Sequence, residues 1–332
     1  MILKYKGIHM LKHITALLLI FSTLSIHAQL VPKDAVPEKV ADGYKFTEGP
    51  ALGPDGCIYF TDIPAALILK FDPETGETTT AKEQSGNANG LMFDHDGDLI
   101  ACRHGARAVS SWSVKRAPKL FRPATQNLYK GKKLNSPNDL DIDQSGNIYF
   151  TDPRYGNRDS MEMEIEGVYF QSSETDRAPV LDKDGDTGRT LPVMKPLVRV
   201  AADLVRPNGI VLSPDESILY VADNGANYIY AYDIESPGKV KNKRVFGRIN
   251  DGKGGGSDGM CVDVQGRLYA TGHGKVWIFE PTGQLVATIA VGKQTTNVTF
   301  GADGKTLYIT ANKGLYRITL ITDAPLEHAE KE

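Results

Sequence analysis

The chain has 332 residues, 41% of them hydrophobic and 24% charged, with a formal net charge of −3. This composition supplies ample core material and excludes an intrinsically disordered chain, and the lack of a basic patch argues against a nucleic-acid partner. Cys57, Cys102 and Cys261 are odd in number and each lies in a strand-like phrase, so they read as small buried hydrophobes, not as a disulfide framework or a catalytic thiol.

In chain order, Lys4, Lys6 and Lys12 precede an apolar run from Ile14 to Ile26, with a small-residue cleavage site before Gln29. This is the layout of a secretory signal peptide over residues 1–28, workable also from Met10. No Cys follows the run to take a lipid. The expectation is an exported protein, periplasmic or secreted, without a membrane anchor in the mature chain.

One periodic unit fills the rest, so residues 29–332 read as a single domain. Six short phrases open with an oxygen-bearing side chain: Glu48, Asn89, Asn138, Asn208, Asp258 and Asn297. Each is followed by an apolar strand, a turn and a second strand such as IYFTD from Ile58 or LYVAD from Leu219. Gly56, Gly97, Gly146, Glu216 and Gly266 hold the same place in the turn, eight residues after their openers, and Gly304 follows Asn297 by seven. Third strands read at Leu67, Gly167, Tyr228, Val276 and Gly314, and extended outer strands precede the next opener. Repeats of this size built from short strands predict an all-β, six-bladed β-propeller with four-stranded blades. No fourth strand follows Gly314–Leu320. The stretch Val40–Phe46 is free to supply it, closing the last blade with the N-terminus and removing exposed sheet edges.

Two segments exceed a blade, Arg103–Pro137 and Arg154–Lys195, and read as lids or specificity loops. The polar run from Asp182 resembles half of an EF-hand loop. Thr187 stands at its Gly position and Val193 at its Glu position, so a solvated turn is expected.

In a propeller the first strand of every blade starts at the central shaft, so the six openers should converge there. Two carboxylates and four amides suit a hard cation such as Ca2+, or another divalent ion in its place. Zinc would call for His or Cys. Positions left for water and a substrate oxygen suit Lewis-acid catalysis. His104 and His273 each lie fifteen residues after an opener, at second-strand ends. They read either as substrate contacts or proton shuttles, or as loop histidines satisfied by backbone. Arg103 pairs with an anionic substrate group or with an acidic neighbour. Asn89 and Asn297 are read as supporting amides, Asp152 and Asp223 as turn caps, and Tyr155 as part of the rim.

The phrases FTEGP at Phe46, SPNDL at Ser136, RPNGI at Arg206 and SDGM at Ser257, with YFTDP at Tyr149 and LYVADN at Leu219, resemble the gluconolactonase/regucalcin family over Phe46 to Leu320. The fold is also similar to that of diisopropyl fluorophosphatase and the paraoxonases. The resemblance implies a calcium held by Glu48, Asn138, Asn208 and Asp258, with Asn138 also contacting substrate. Ser136 and Leu140 depart from the family's Arg and Gly, and Arg103 stands where bacterial lactonases often have an acid. Both departures bear on the substrate. The resulting expectation is a calcium-dependent lactonase acting on a small sugar lactone, with Asp258 also taking the proton of the attacking water. Arg103, His104 and His273 would contact the substrate. Two alternatives share the architecture: an arylesterase or phosphotriesterase with the same metal, and a non-catalytic propeller that binds a glycan or protein.

Overall fold

The computed structural model describes residues 30–115, 120–182, 185–250 and 256–321, so the expected signal peptide lies outside the described residues. Six antiparallel four-stranded sheets form a β-propeller with almost no helix. Blade 1 comprises Thr47–Leu52, Ile58–Asp62, Leu67–Phe71 and Thr78–Lys82; blade 2 comprises Ala88–Phe93, Leu99–Arg103, Ala108–Trp112 and Arg122–Pro123. Blade 3 is built from Leu140–Ile142, Ile148–Asp152, Gly167–Gln171 and Val198–Ala201, and blade 4 from Pro207–Leu212, Ile218–Asp223, Tyr228–Ser236 and Lys239–Arg248. Blade 5 holds Met260–Val262, Leu268–Gly272, Lys275–Phe279 and Leu285–Ala290. Blade 6 combines Thr295–Phe300, Thr306–Ala311 and Gly314–Thr319 with the N-terminal strand Glu38–Asp42.

That last pairing is the expected closure, shifted a few residues earlier. Glu38 faces Arg317 and Asp42 faces Gly314. The strand ends at Asp42 because Gly43 turns into the left-handed region (φ 96°), which sends residues 43–46 across the blade toward the shaft. The hairpin turns also sit where the spacing places them, and Gly56, Gly97, Gly146, Gly266 and Gly304 all have positive φ. Glu216 takes the same conformation without being glycine (φ 55°).

Strand alternation explains the core. Ile58 and Phe60 point to blade 6, where they meet Tyr308 and Leu315, while Tyr59 between them packs toward blade 2 with Leu91 and Leu99. Each neighbouring pair of blades shares one apolar cluster of this kind, six in all among the described residues. Cys57 and Cys102 are buried, Cys261 is half-buried, and all three are free thiols.

The two long segments form additional ribbons. Leu128–Tyr129 pairs with Lys132–Lys133, and Thr175–Asp182 pairs with Gly185–Met194. The EF-hand-like run falls at the tip of the second ribbon, with residues 183–184 outside the described residues. Among the described residues no helix is long and apolar enough to cross a membrane.

Candidate active site at the propeller shaft

Three openers are held by one local device. Asp62, Asp152 and Asp223 end the second strands of blades 1, 3 and 4. Each accepts the backbone N–H groups three and two residues before its blade's opener. Asp62 takes Lys45 and Phe46 (3.0 and 3.2 Å), Asp152 takes Asn135 and Ser136 (2.7 and 2.8 Å), and Asp223 takes Val205 and Arg206 (2.9 Å each). The strand register then slips between Glu48 and Ala51, and likewise between Pro207 and Ile210. Bulges of this sort re-aim a side chain, here toward the axis. In blade 5 the corresponding residue is Gly272, and Asp258 is held by its own N–H bonding Thr271 O (2.9 Å).

Glu48, Asn138, Asn208 and Asp258 all line one cavity of about 980 Å³ at the shaft, where the first three are buried and Asp258 is half-buried. Burial, and then the charge of Asp258, push the Glu48 carboxyl well above the usual carboxylate range. Asp258 is raised likewise by burial and by Asp139, while the Asn208 amide beside it favours the ionised form. Two neighbouring buried carboxylates call for a proton or a cation between them. Asp258 Oδ1 makes the stronger case: it is buried without a hydrogen-bond partner. Such an oxygen, with a second carboxylate and amide carbonyls on the same cavity wall, fits a hard cation. Among the described residues no three His, Cys, Asp or Glu side chains are placed to hold a metal. The candidate set is therefore a mixed carboxylate–amide one.

The remaining expected residues divide. Asn89, His104 and His273 line the cavity. Burial first, then the charge of Arg154, lowers the His104 imidazole below its ordinary value, so it is neutral at pH 7. Asn297 sits behind the wall, donating Nδ2–H to Asp139 Oδ2 (3.0 Å) and supporting Glu48. Arg103 is the correction. It is not part of the cavity lining: its Nε donates to Ser85 O (2.8 Å) and its guanidinium lies 4.0 Å from the Phe121 ring centre. A backbone carbonyl and an aromatic face hold it, and no acidic side chain is paired with it among the described residues. Ser136 also turns away, donating Oγ–H to Pro153 O (2.6 Å).

Sequence reasoning missed three features. Asp139 is a further buried acid behind the site, raised by burial and by Glu48. Its signal was available, since openers elsewhere are followed by Gly or Val. Lys275 and Lys293 line one wall of the cavity. Tyr155, read as rim, has its phenol oxygen 2.8 Å from Asn208 Nδ2.

The sequence profile of the SMP-30/gluconolactonase/LRE-like region matches residues 46–313. A gluconolactonase of Zymomonas mobilis subsp. mobilis is 32% identical, the alignment covering 85% of this chain and 80% of that protein. The solved structure of a gluconolactonase from Xanthomonas campestris superposes with a TM-score of 0.72 at 28% identity, over 88% of this chain and 98% of that one. The calcium-binding regucalcin of Agrobacterium tumefaciens shares the fold, with a TM-score of 0.66 at 19% identity, over 89% and 97% of the two chains. The chain belongs to the SMP-30/gluconolactonase/LRE-like family, a gluconolactonase-like family of lactone hydrolases.

Proposed function

We propose that this protein is an exported, calcium-dependent hydrolase of sugar lactones, with aldonolactones as the first candidates. The carrying observation is the buried, unpartnered Oδ1 of Asp258, a residue that lines one cavity with Glu48, Asn138 and Asn208. Those four side chains would hold the ion, and the fold-sharing regucalcin, itself calcium-binding, supports that choice of metal. A bound divalent ion supplies Lewis-acid polarisation of the lactone carbonyl and a more acidic water. The side chains then have separate tasks. Asn138 and Asn208 present amide oxygens, Glu48 and Asp258 balance charge, and Asp258 takes the proton of the attacking water. His104 and His273, on opposite sides of the mouth, orient the sugar hydroxyls. Phe46 and Ile63 form an apolar part of the wall and limit water entry. Export rests on the Lys-rich, apolar N-terminus.

The deciding experiment is a substrate panel of neutral and anionic aldonolactones, aryl esters and phosphotriesters, each assayed with calcium and with chelator. Turnover of an aldonolactone that stops on chelation and returns with calcium is the expected result. Faster turnover of aryl esters or phosphotriesters, or activity indifferent to chelator, refutes the reading. Fractionation of the producing cell tests export, and an unprocessed cytoplasmic product refutes it.

A further inference from the structure

Tyr155 stands in the loop between the second and third strands of blade 3, and that loop is rigidly framed. The Arg154 guanidinium donates to Asn135 O (3.0 Å), Asn157 O (2.7 Å) and Ser160 Oγ (2.7 Å). The Arg154 N–H donates to Glu166 (3.0 Å), which is buried and paired with Arg158. Ser136 fastens Pro153 from below. The Arg206 guanidinium lies over the Tyr155 ring, 5.1 Å from its centre. A loop fixed at this many points gives Tyr155 a built setting.

Its contacts carry the inference. The phenol oxygen accepts Asn208 Nδ2–H at 2.8 Å. That contact engages the nitrogen side of the Asn208 amide. The carbonyl oxygen of Asn208 is therefore left for a cation. Tyr155, having accepted a hydrogen bond, retains its own O–H, which has no acceptor among the described residues while the side chain lines the cavity.

We infer that Tyr155 acts twice at this site: its oxygen holds Asn208 with the amide carbonyl presented to the metal, and its O–H donates to the lactone oxygen that gains negative charge as water adds. The second role rests on the lactonase reading above; the first does not. Outer hydrogen bonds of the first kind typically change metal affinity about 10–100-fold. Donors of the second kind are worth about 10²–10³-fold in kcat.

The test begins with Tyr155→Phe, which keeps the ring under Arg206 and removes only the oxygen. Calcium affinity, measured by calorimetry without substrate, should fall about tenfold. On the best lactone at saturating calcium, kcat should fall about a hundredfold with KM little changed. The double variant Tyr155→Phe, Asn208→Asp separates the roles, because an aspartate offers an oxygen whichever way it is turned. It should regain calcium affinity but not kcat. Wild-type affinity and wild-type kcat in Tyr155→Phe overturn both roles, even if its melting temperature drops, since that pattern is packing alone. A wild-type protein that opens no lactone refutes the proposed function and the donor role with it. The calcium titration then decides the positioning role by itself.

Discussion

A buried polar oxygen left without a hydrogen-bond partner is destabilising by roughly 1–3 kcal/mol, and Asp258 Oδ1 is such an oxygen. Asp258→Ala should therefore abolish lactone turnover and calcium binding while leaving the metal-free protein at least as stable as wild type. Thermal melts in chelator and in calcium check this: calcium should raise the wild-type Tm and leave the variant unchanged. Arg103 gives the opposite signature. With its guanidinium held by Ser85 O and the Phe121 ring, Arg103→Gln should reduce stability and lower kcat/KM equally on matched neutral and anionic lactones. A selective loss on the anionic substrate would contradict the geometry. Asp152 predicts a pH effect. Burial raises its carboxyl from 3.8 to about 7, against the pull of the Asn135 and Ser136 N–H groups. Between those values the folded chain keeps a proton that the unfolded chain has lost, so this residue's contribution to stability falls as pH rises from about 4 to about 7. Denaturant titrations across that window should show a shallower decline for Asp152→Asn than for wild type.

Between residue and blade, the Gly that follows four of the openers has a steric reason. A Cβ on Gly209 would lie 2.3 Å from Asp258 O, and one on Gly49 would lie 2.0 Å from Asn89 O. The first strands converge so closely at the axis that the backbone of one blade occupies the side-chain space of the next. Threonine hydroxyls fasten the same seam: Thr61 donates to Asn89 O (3.2 Å), Thr151 to Asn208 O (2.6 Å) and Thr296 to Thr47 O (2.9 Å). Gly209→Ala should destabilise the fold by ~1–3 kcal/mol and weaken calcium binding, because relief of the clash moves Asp258. Chemical denaturation and calorimetry measure the two effects. This seam also explains what the sequence made legible. Openers, turns and second strands recur at fixed spacing because every blade meets the axis in the same way, so blade number and turn positions could be read directly. Side chains at strand ends follow no such rule. Arg103 is turned by Ser85 and Phe121, and Tyr155 is aimed by a frame that includes Asn135, Ser160 and Glu166, none of them within the repeat. Asp139 was hidden by its neighbour, the opener Asn138 that drew the reading.

At the scale of the whole ring, the strand Glu38–Asp42 is the clasp. It supplies the outer strand of blade 6, and Thr47 Oγ1 of blade 1 donates to Gly314 O (2.8 Å) across the same junction. Deleting the chain through Asp42 should lower the Tm sharply and promote self-association through the bared edge of Gly314–Thr319. Melting curves and light scattering test both, and a monomeric deletion variant with wild-type Tm would show that the clasp is dispensable. The pairing has a further consequence, in time. The Arg317–Glu38 contact joins residues 279 apart in sequence, about as non-local as this chain allows. Contacts of that separation form slowly, after local hairpins are in place. A chain emerging from the ribosome can build blades 1 to 5 in turn, yet Glu48 and Asp258 are not locked across the axis until blade 6 arrives to wedge between their blades. The candidate site is thus the last part of the molecule to come into existence, and no amino-terminal fragment, however well folded, should possess it.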